Sequence, residues 1–356
     1  MKQIKYILFT VHFSFLALLF SSCEKVSPIG VLVSGTGVED RVKMSHLYYD
    51  EHKNDFRYLM AVGDYHFLVG ADSHMTTDDG RMSEMLQIGI DSDDLFYAHL
   101  GDIADTKAEY YIGLEDVITE FRKKYAEKHY DKVYIGEEGN EYQMNSDEFY
   151  VYIDRVADLV YTLDNVPLPF YPVVGNHDIT HNGWALWSNI FHSSFYQVPI
   201  IILNTAGDIV ALDHLIFLDS ASGTLGDEQV KLIEEGIMDG KEIEKEYGVK
   251  IRKTFVFSHT NIFRPRSVEF ASTFPREEMF FLLDKFAKWN ADIVFLGHVH
   301  KWDRQVVNGI EYLTLDSMCE ENNPDPGDYL VRVNVKADGT TSWEHVRMNY
   351  TPAKKK

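Results

Sequence analysis

Three features of this 356-residue chain predict an α/β fold. Helical and strand-like patterns alternate from about Phe56 to residue 300, the arrangement expected of sheets covered by helices. Five short apolar runs, rich in β-branched and aromatic residues, each lead into a polar cluster of Asp, Asn or His. The composition, 45% hydrophobic and 25% charged, is that of an ordinary globular chain long enough for one large domain.

The N-terminal end stands apart from this pattern. Lys2 and Lys5 precede an apolar run from Ile7 to Phe20, and Ser21-Ser22 then lead to Cys23. Residues 1–22 are therefore expected to be an export signal, too short for a membrane span. The segment Leu19-Phe20-Ser21-Ser22-Cys23 resembles a bacterial lipoprotein box. That resemblance implies a lipid on Cys23, and a working place in the periplasm or on the outer membrane or cell surface. Cys319 then has no partner, so no intrachain disulfide is expected, and a buried thiol is its simplest role. Residues 23–55 are expected to be a tether and an irregular lead-in. Ser34-Gly35-Thr36-Gly37 has neither the lysine nor the following helix of a phosphate loop, and is expected to be a turn.

The main domain is expected over 56–350. Its strand candidates are Tyr65–Gly70, Leu95–Leu100, Phe170–Val174, Thr254–Phe257 and Ile293–Leu296. Helices are expected at Arg81–Ile90 and Asp227–Glu246, and at Arg276–Asn290, where Met279, Phe280, Leu283 and Phe286 form a stripe suited to packing on a sheet. Residues 107–165 hold two further helical patterns around a Gly- and Glu-bearing stretch. They are expected to be an insertion beside the site, either a lid or a helical layer with an exposed loop. After His300 the pattern turns strand-rich over 306–315, 329–335 and 341–348, with turn signals at Asn308-Gly309, Pro326-Gly327 and Asp338-Gly339.

The five polar clusters are Asp72-Ser73-His74, Gly101-Asp102-Ile103-Ala104-Asp105, Gly175-Asn176-His177-Asp178, Ser258-His259 and Gly297-His298-Val299-His300. Groups at the ends of several strands of an open sheet can converge on one point. Their Asp, Asn and His side chains suit Mn, Fe, Zn or Ni better than Ca or Mg, which favour oxygen alone. No cysteine occurs in the clusters, which argues against a structural thiolate zinc site.

In type and order the five clusters resemble the motifs of the calcineurin-like metallophosphoesterase superfamily: D-x-H, G-D-x-x-D, G-N-H-D/E, a lone histidine after a strand, and G-H-x-H. The resemblance spans residues 72–300. It implies a four-layer α/β/β/α sandwich of two mixed sheets, the metallophosphatase fold, holding two divalent metal ions. Asp72, His74 and His300 would bind one ion and Asn176, His259 and His298 the other, with Asp102 bridging both. His177 would stand over the phosphate and protonate the leaving group while a bridging hydroxide attacks. Asp105 and Asp178 would orient the ligands. Asp105 also occupies the position of the iron-ligating tyrosine of purple acid phosphatases, so their colour is not expected. Leu218-Asp219-Ser220 with Gly223, Leu225 and Gln229 resembles a stretch common in the secreted phosphodiesterase-like and phosphomonoesterase-like branch.

The formal net charge of -22 argues against a nucleic-acid polymer as partner. A small-molecule phosphoester is the expected substrate. Arg264 and Arg266 could contact phosphate, and Trp184, Trp187 and Phe191 could stack on a leaving group, although helical spacing makes those aromatics fit a core. Two other readings stay open: a phosphodiesterase on cyclic nucleotides or glycerophosphodiesters, and a non-catalytic metal-dependent binding protein on the same fold.

Overall fold

The computed structural model describes residues 37–52, 58–74, 80–103, 163, 167–179, 183–263, 274–318 and 330–348. The export signal, Cys23, Asp105, nearly all of the 107–165 insertion, Arg264, Arg266, Cys319 and Pro326-Gly327 lie outside them.

Two sheets form the centre. The larger comprises β1 (Leu59–Val62), β5 (Tyr196–Leu203), β6 (Ile209–Leu218), β7 (Ile251–Ser258), β8 (Ala291–Leu296), β9 (Asp303–Val307) and β10 (Ile310–Thr314), in the order β1-β5-β6-β7-β8-β10-β9. The smaller comprises β2 (Tyr65–Gly70), β3 (Tyr97–His99), β4 (Phe170–Pro172), β11 (Leu330–Val335) and β12 (Thr341–Val346), in the order β12-β11-β2-β3-β4. Both are mixed. β2, β3 and β4 run parallel while β11 is antiparallel to β2. β6, β7, β8 and β10 run parallel, flanked by antiparallel β5 and β9.

The sheets pack face to face through aromatic rings. Phe67 of the small sheet stacks on Phe96 at 4.5 Å and meets Phe255 of the large sheet edge-on at 5.2 Å. Phe217, Phe257 and Phe295 continue the stack across neighbouring strands at 4.7 and 5.1 Å. The Tyr196 hydroxyl donates to the Pro172 carbonyl and the Tyr65 hydroxyl to Asp213 Oδ2, both at 2.7 Å, so these two polar groups carried into the layer are satisfied across the two sheets. Full burial of each such ring contributes about 1.5–3 kcal/mol.

Helices cover the outer faces. α2 (Gly80–Asp91) and α4 (Gly183–Ile190) pack on the small sheet through Met82, Met85, Leu86, Trp184 and Trp187. α5 (Gly226–Glu234) and α7 (Arg276–Lys288) pack on the large sheet through Leu232, Ile233, Leu282 and Phe286. Helices on the outer face of each of the two sheets make the α/β/β/α sandwich that the resemblance implies. Trp184 and Trp187 are core residues here, as their helical spacing suggests.

Three local expectations change. Residues 23–55 are not irregular throughout: Val38–His52 form α1, so a helix does follow Gly37. Its buried stripe is Arg41, Val42 and Ser45, two of them polar, so hydrophobic periodicity gives no signal. The single helix expected over 227–246 is two, α5 and α6 (Lys241–Tyr247), separated at Gly236 and Gly240 with φ of 88° and 68°. Only glycine enters that left-handed region freely. On α7, Phe280 is exposed, and Leu282 takes the buried place beside Phe286.

A candidate dinuclear metal centre

The five polar clusters sit at one end of the sandwich because their strands are parallel. Asp72 follows β2, Asp102 follows β3, Asn176 follows β4, His259 follows β7 and His298 follows β8. The carboxyl ends of parallel strands point the same way, and here those ends from both sheets meet. α3, a single turn at Asn176–Ile179, begins at Asn176 itself.

The backbone is bent to deliver these side chains. Asp72, His74, Asp102, His298 and His300 have φ of 52°, 42°, 52°, 70° and 54°. Among the described residues only nine non-glycine positions adopt positive φ, so more than half of them lie in this cluster. Such conformations cost of order 1–3 kcal/mol each and persist where the surroundings over-determine them. The loops are tied accordingly: Asp72 N–H donates to Gly101 O at 3.0 Å, and His74 N–H to Asp102 O at 2.9 Å. Ser317 Oγ donates to Asp72 O at 2.8 Å.

Around Asp102 the donor atoms fall into two groups. In the first, His74 Nε2 lies 3.1 Å from His300 Nε2 and 3.8 Å from Asp102 Oδ2, and His300 Nε2 lies 3.5 Å from Asp72 Oδ1. In the second, His259 Nε2 lies 2.9 Å from Asn176 Oδ1, 3.1 Å from His298 Nδ1 and 3.4 Å from Asp102 Oδ2. Asp102 belongs to both groups. Ligand atoms about 2.1 Å from a shared centre stand roughly 3.0–3.4 Å apart, and the separations here, 2.9 to 3.8 Å, bracket that range.

Tautomers sharpen the fit. His259 Nδ1 faces the Leu100 carbonyl at 2.8 Å, and a carbonyl only accepts, so Nδ1 carries the proton. In the neutral ring, His259 Nε2 is then a bare lone pair facing the oxygen of Asn176. Lone pairs so placed repel one another unless a cation lies between them. His74, Asp72, Asp102, Asn176 and His259 are all buried, so water does not screen the set. The residues fit a pair of metal ions.

The carboxylates are poised as anions. Burial alone would raise the Asp102 pKa, but His259, His177 and His74 outweigh it and hold the group below its usual range. Asp72 behaves likewise: burial opposes, while the His300 hydrogen bond and the charge of His259 prevail. His298 N–H adds a hydrogen bond to Asp72 Oδ2 at 3.0 Å.

His177 stands outside both donor groups, as expected. Its ring meets that of His74 edge-on at 4.7 Å, and its backbone N–H donates to Asp102 Oδ1 at 2.7 Å. Asp178 accepts from Ile103 N–H and Gly175 N–H, both at 2.9 Å, so it braces two loops through their backbones.

Two supports escape a reading of the sequence. His99, buried on β3, joins Gly101 N–H to Ser73 Oγ. Ser220 Oγ accepts from Thr260 N–H at 2.9 Å and meets Ser258 Oγ at 2.8 Å, holding both neighbours of His259. Each looks in sequence like an ordinary strand-end residue.

Gly175 is required for its lack of a side chain. A Cβ there would fall on the backbone nitrogen and carboxylate of Asp102. Gly175→Ala is expected to displace that carboxylate and to lower stability by about 1–3 kcal/mol. Thermal melts check this; a wild-type melting temperature would show that Asp102 tolerates the shift.

No protein-family model matches the chain, and no curated protein is significantly similar to it. Among solved structures it is similar to GAP50, the anchor in the inner membrane complex of Plasmodium, at 14% identity and TM-score 0.43, covering 81% of this chain and 90% of that one. It is similar to a dimetal phosphatase from Danio rerio at 10% identity and TM-score 0.45, covering 80% and 96%. A third similarity, to an archaeal phosphodiesterase, has 10% identity and TM-score 0.32, covering 79% and 99%. The functional conclusion below stands on the donor geometry of this chain.

Proposed function

We propose that this chain is a metal-dependent phosphoester hydrolase acting on small phosphomonoesters or phosphodiesters. The observation that carries the reading is the convergence of Asp, Asn and His donor atoms from five strand ends on two groups that share Asp102. Asp72, His74 and His300 hold one ion, and Asn176, His259 and His298 the other. When bound, two such ions clamp the phosphoryl oxygens and acidify the attacking water.

The chain's own residues supply the rest. Asp102 sets the spacing of the two donor groups, and its Oδ1 anchors the His177 backbone. The His177 imidazole, edge-on to His74, gives its proton to the departing alkoxide as the ester P–O bond breaks and water oxygen bonds to phosphorus. Asp178 keeps the loops of Asp102 and Asn176 in register; the orienting role of Asp105 rests on the motif resemblance alone. The net charge of -22 repels an anionic substrate overall, so capture depends on local positive charge, which a bound metal pair would supply.

Metal-stripped protein given Mn²⁺ is expected to hydrolyse p-nitrophenyl phosphate or its bis ester. Protein that carries about two ions and cleaves nothing in a broad ester panel would leave the binding-protein reading in its place. The mono- and diester arms of that panel also decide between phosphatase and phosphodiesterase.

Export with a lipid on Cys23 completes the proposal, supported by the signal pattern and lipoprotein box. Metabolic labelling with a fatty acid should mark the wild type, and persistent labelling of Cys23→Ser would refute the anchor.

A further inference from the structure

We propose that His99 is a positioning residue for the metal centre, acting through the Ser73 hydroxyl to hold the Asp72–His74 loop against the Asp102 loop. The proposal rests on the metal-centre reading above.

His99 is the last residue of β3 and is wholly buried. Gly101 N–H donates to its Nδ1 at 3.2 Å. A ring nitrogen that accepts a hydrogen bond carries no proton, so in the neutral ring the proton lies on Nε2. His99 Nε2–H therefore donates to Ser73 Oγ, 3.1 Å away. The Ser73 hydroxyl in turn donates to the Ile103 carbonyl at 2.9 Å. The hydrogen bonds form one directed chain: Gly101 N–H, His99, Ser73, Ile103 O. It starts and finishes on the two neighbours of Asp102 and passes through the residue between Asp72 and His74.

That placement matters because the three ligands it flanks are held in the left-handed region, with φ of 52°, 42° and 52° at Asp72, His74 and Asp102. Unsupported, each would relax toward an ordinary conformation and carry its side chain away from the donor groups. The clasp needs one donor and one acceptor on opposite sides of a flat, compact group. Neutral imidazole provides both. Tyr97 and Phe170 lie near the ring, at centroid separations of 6.1 and 6.3 Å, and His99 is wholly buried. A lost partner in that setting leaves buried polar groups unsatisfied.

The test uses the full, metal-stripped chain and Mn²⁺ binding isotherms, with thermal melts of each apo protein. His99→Leu is expected to weaken Mn²⁺ binding about 10–100-fold, the usual effect of removing a partner behind the ligands. His99→Gln, which offers an amide donor and acceptor, should recover most of the affinity. Ser73→Ala should weaken binding as His99→Leu does, and the double variant should be no weaker than either single, because both break one chain. A role confined to packing would lower the melting temperature and leave Mn²⁺ affinity unchanged. Wild-type affinity in Ser73→Ala, or in folded His99→Leu, overturns the proposal. If the wild type itself binds no Mn²⁺, the metal-centre reading fails first and the proposal with it.

Discussion

Asp102→Asn is expected to abolish turnover, by on the order of 10³-fold or more, equivalent to about 4 kcal/mol of transition-state stabilisation. The carboxylate is buried between the two donor groups, with Oδ2 3.8 Å from His74 Nε2 and 3.4 Å from His259 Nε2. Asparagine keeps the shape and loses the charge. If its oxygen takes the place of Oδ1 and keeps the hydrogen bond from His177 N–H, its NH₂ group turns toward the metal side. Either orientation leaves one oxygen where the anion offers two. The fold should survive, because the inter-sheet contacts of Phe67 with Phe255, Phe257 and Phe295 do not depend on the charge. Hydrolysis assays beside thermal melts check this. Full activity in Asp102→Asn would contradict the bridging role.

The largest effect on stability is expected at Arg41. Its guanidinium is fully buried and pairs with Asp219 through two hydrogen bonds of 3.0 Å, from Nε to Oδ2 and from Nη2 to Oδ1. Nη2 also donates to Ser222 Oγ at 3.1 Å, and Asp219 Oδ2 accepts from Ser194 Oγ at 2.7 Å. Arg41→Met leaves the Asp219 carboxylate buried without its counter-ion, at a cost of about 3–5 kcal/mol. For a domain of this size that lowers the melting temperature by roughly 10 °C. Exposed pairs do far less. Lys241–Asp239, with the lysine side chain 80% exposed, is screened by water and contributes little. A melting temperature within two degrees of wild type in Arg41→Met would mean that α1 docks without the ion pair.

Legibility differs between the site and its supports for physical reasons. The ligands are legible because metal chemistry admits few residue types, and parallel strands place them at successive carboxyl ends. All of the expected ligands, Asp72, His74, Asp102, Asn176, His259, His298 and His300, come together within the two groups. The Asn308-Gly309 turn is legible too: φ of 56° and 82° is what a two-residue hairpin loop demands. α1 is not, since its anchoring rests on an arginine and a serine whose partners lie more than 140 residues away. His99 is hidden for a related cause. In sequence it is one polar residue in an apolar strand, and only the fold brings Ser73 beside it. Phe280 errs in the opposite direction, because a helical stripe fixes which residues share a face without fixing which face the sheet covers.

The centre itself is tested most directly by counting Mn²⁺ on the metal-stripped full chain while recording the Mn²⁺ electron paramagnetic resonance spectrum. Two ions per chain, with the spectrum of an exchange-coupled pair that Asp102→Asn uncouples, is the predicted result. A chain that binds no Mn²⁺, or binds single ions whose spectra stay uncoupled at saturation, would contradict it.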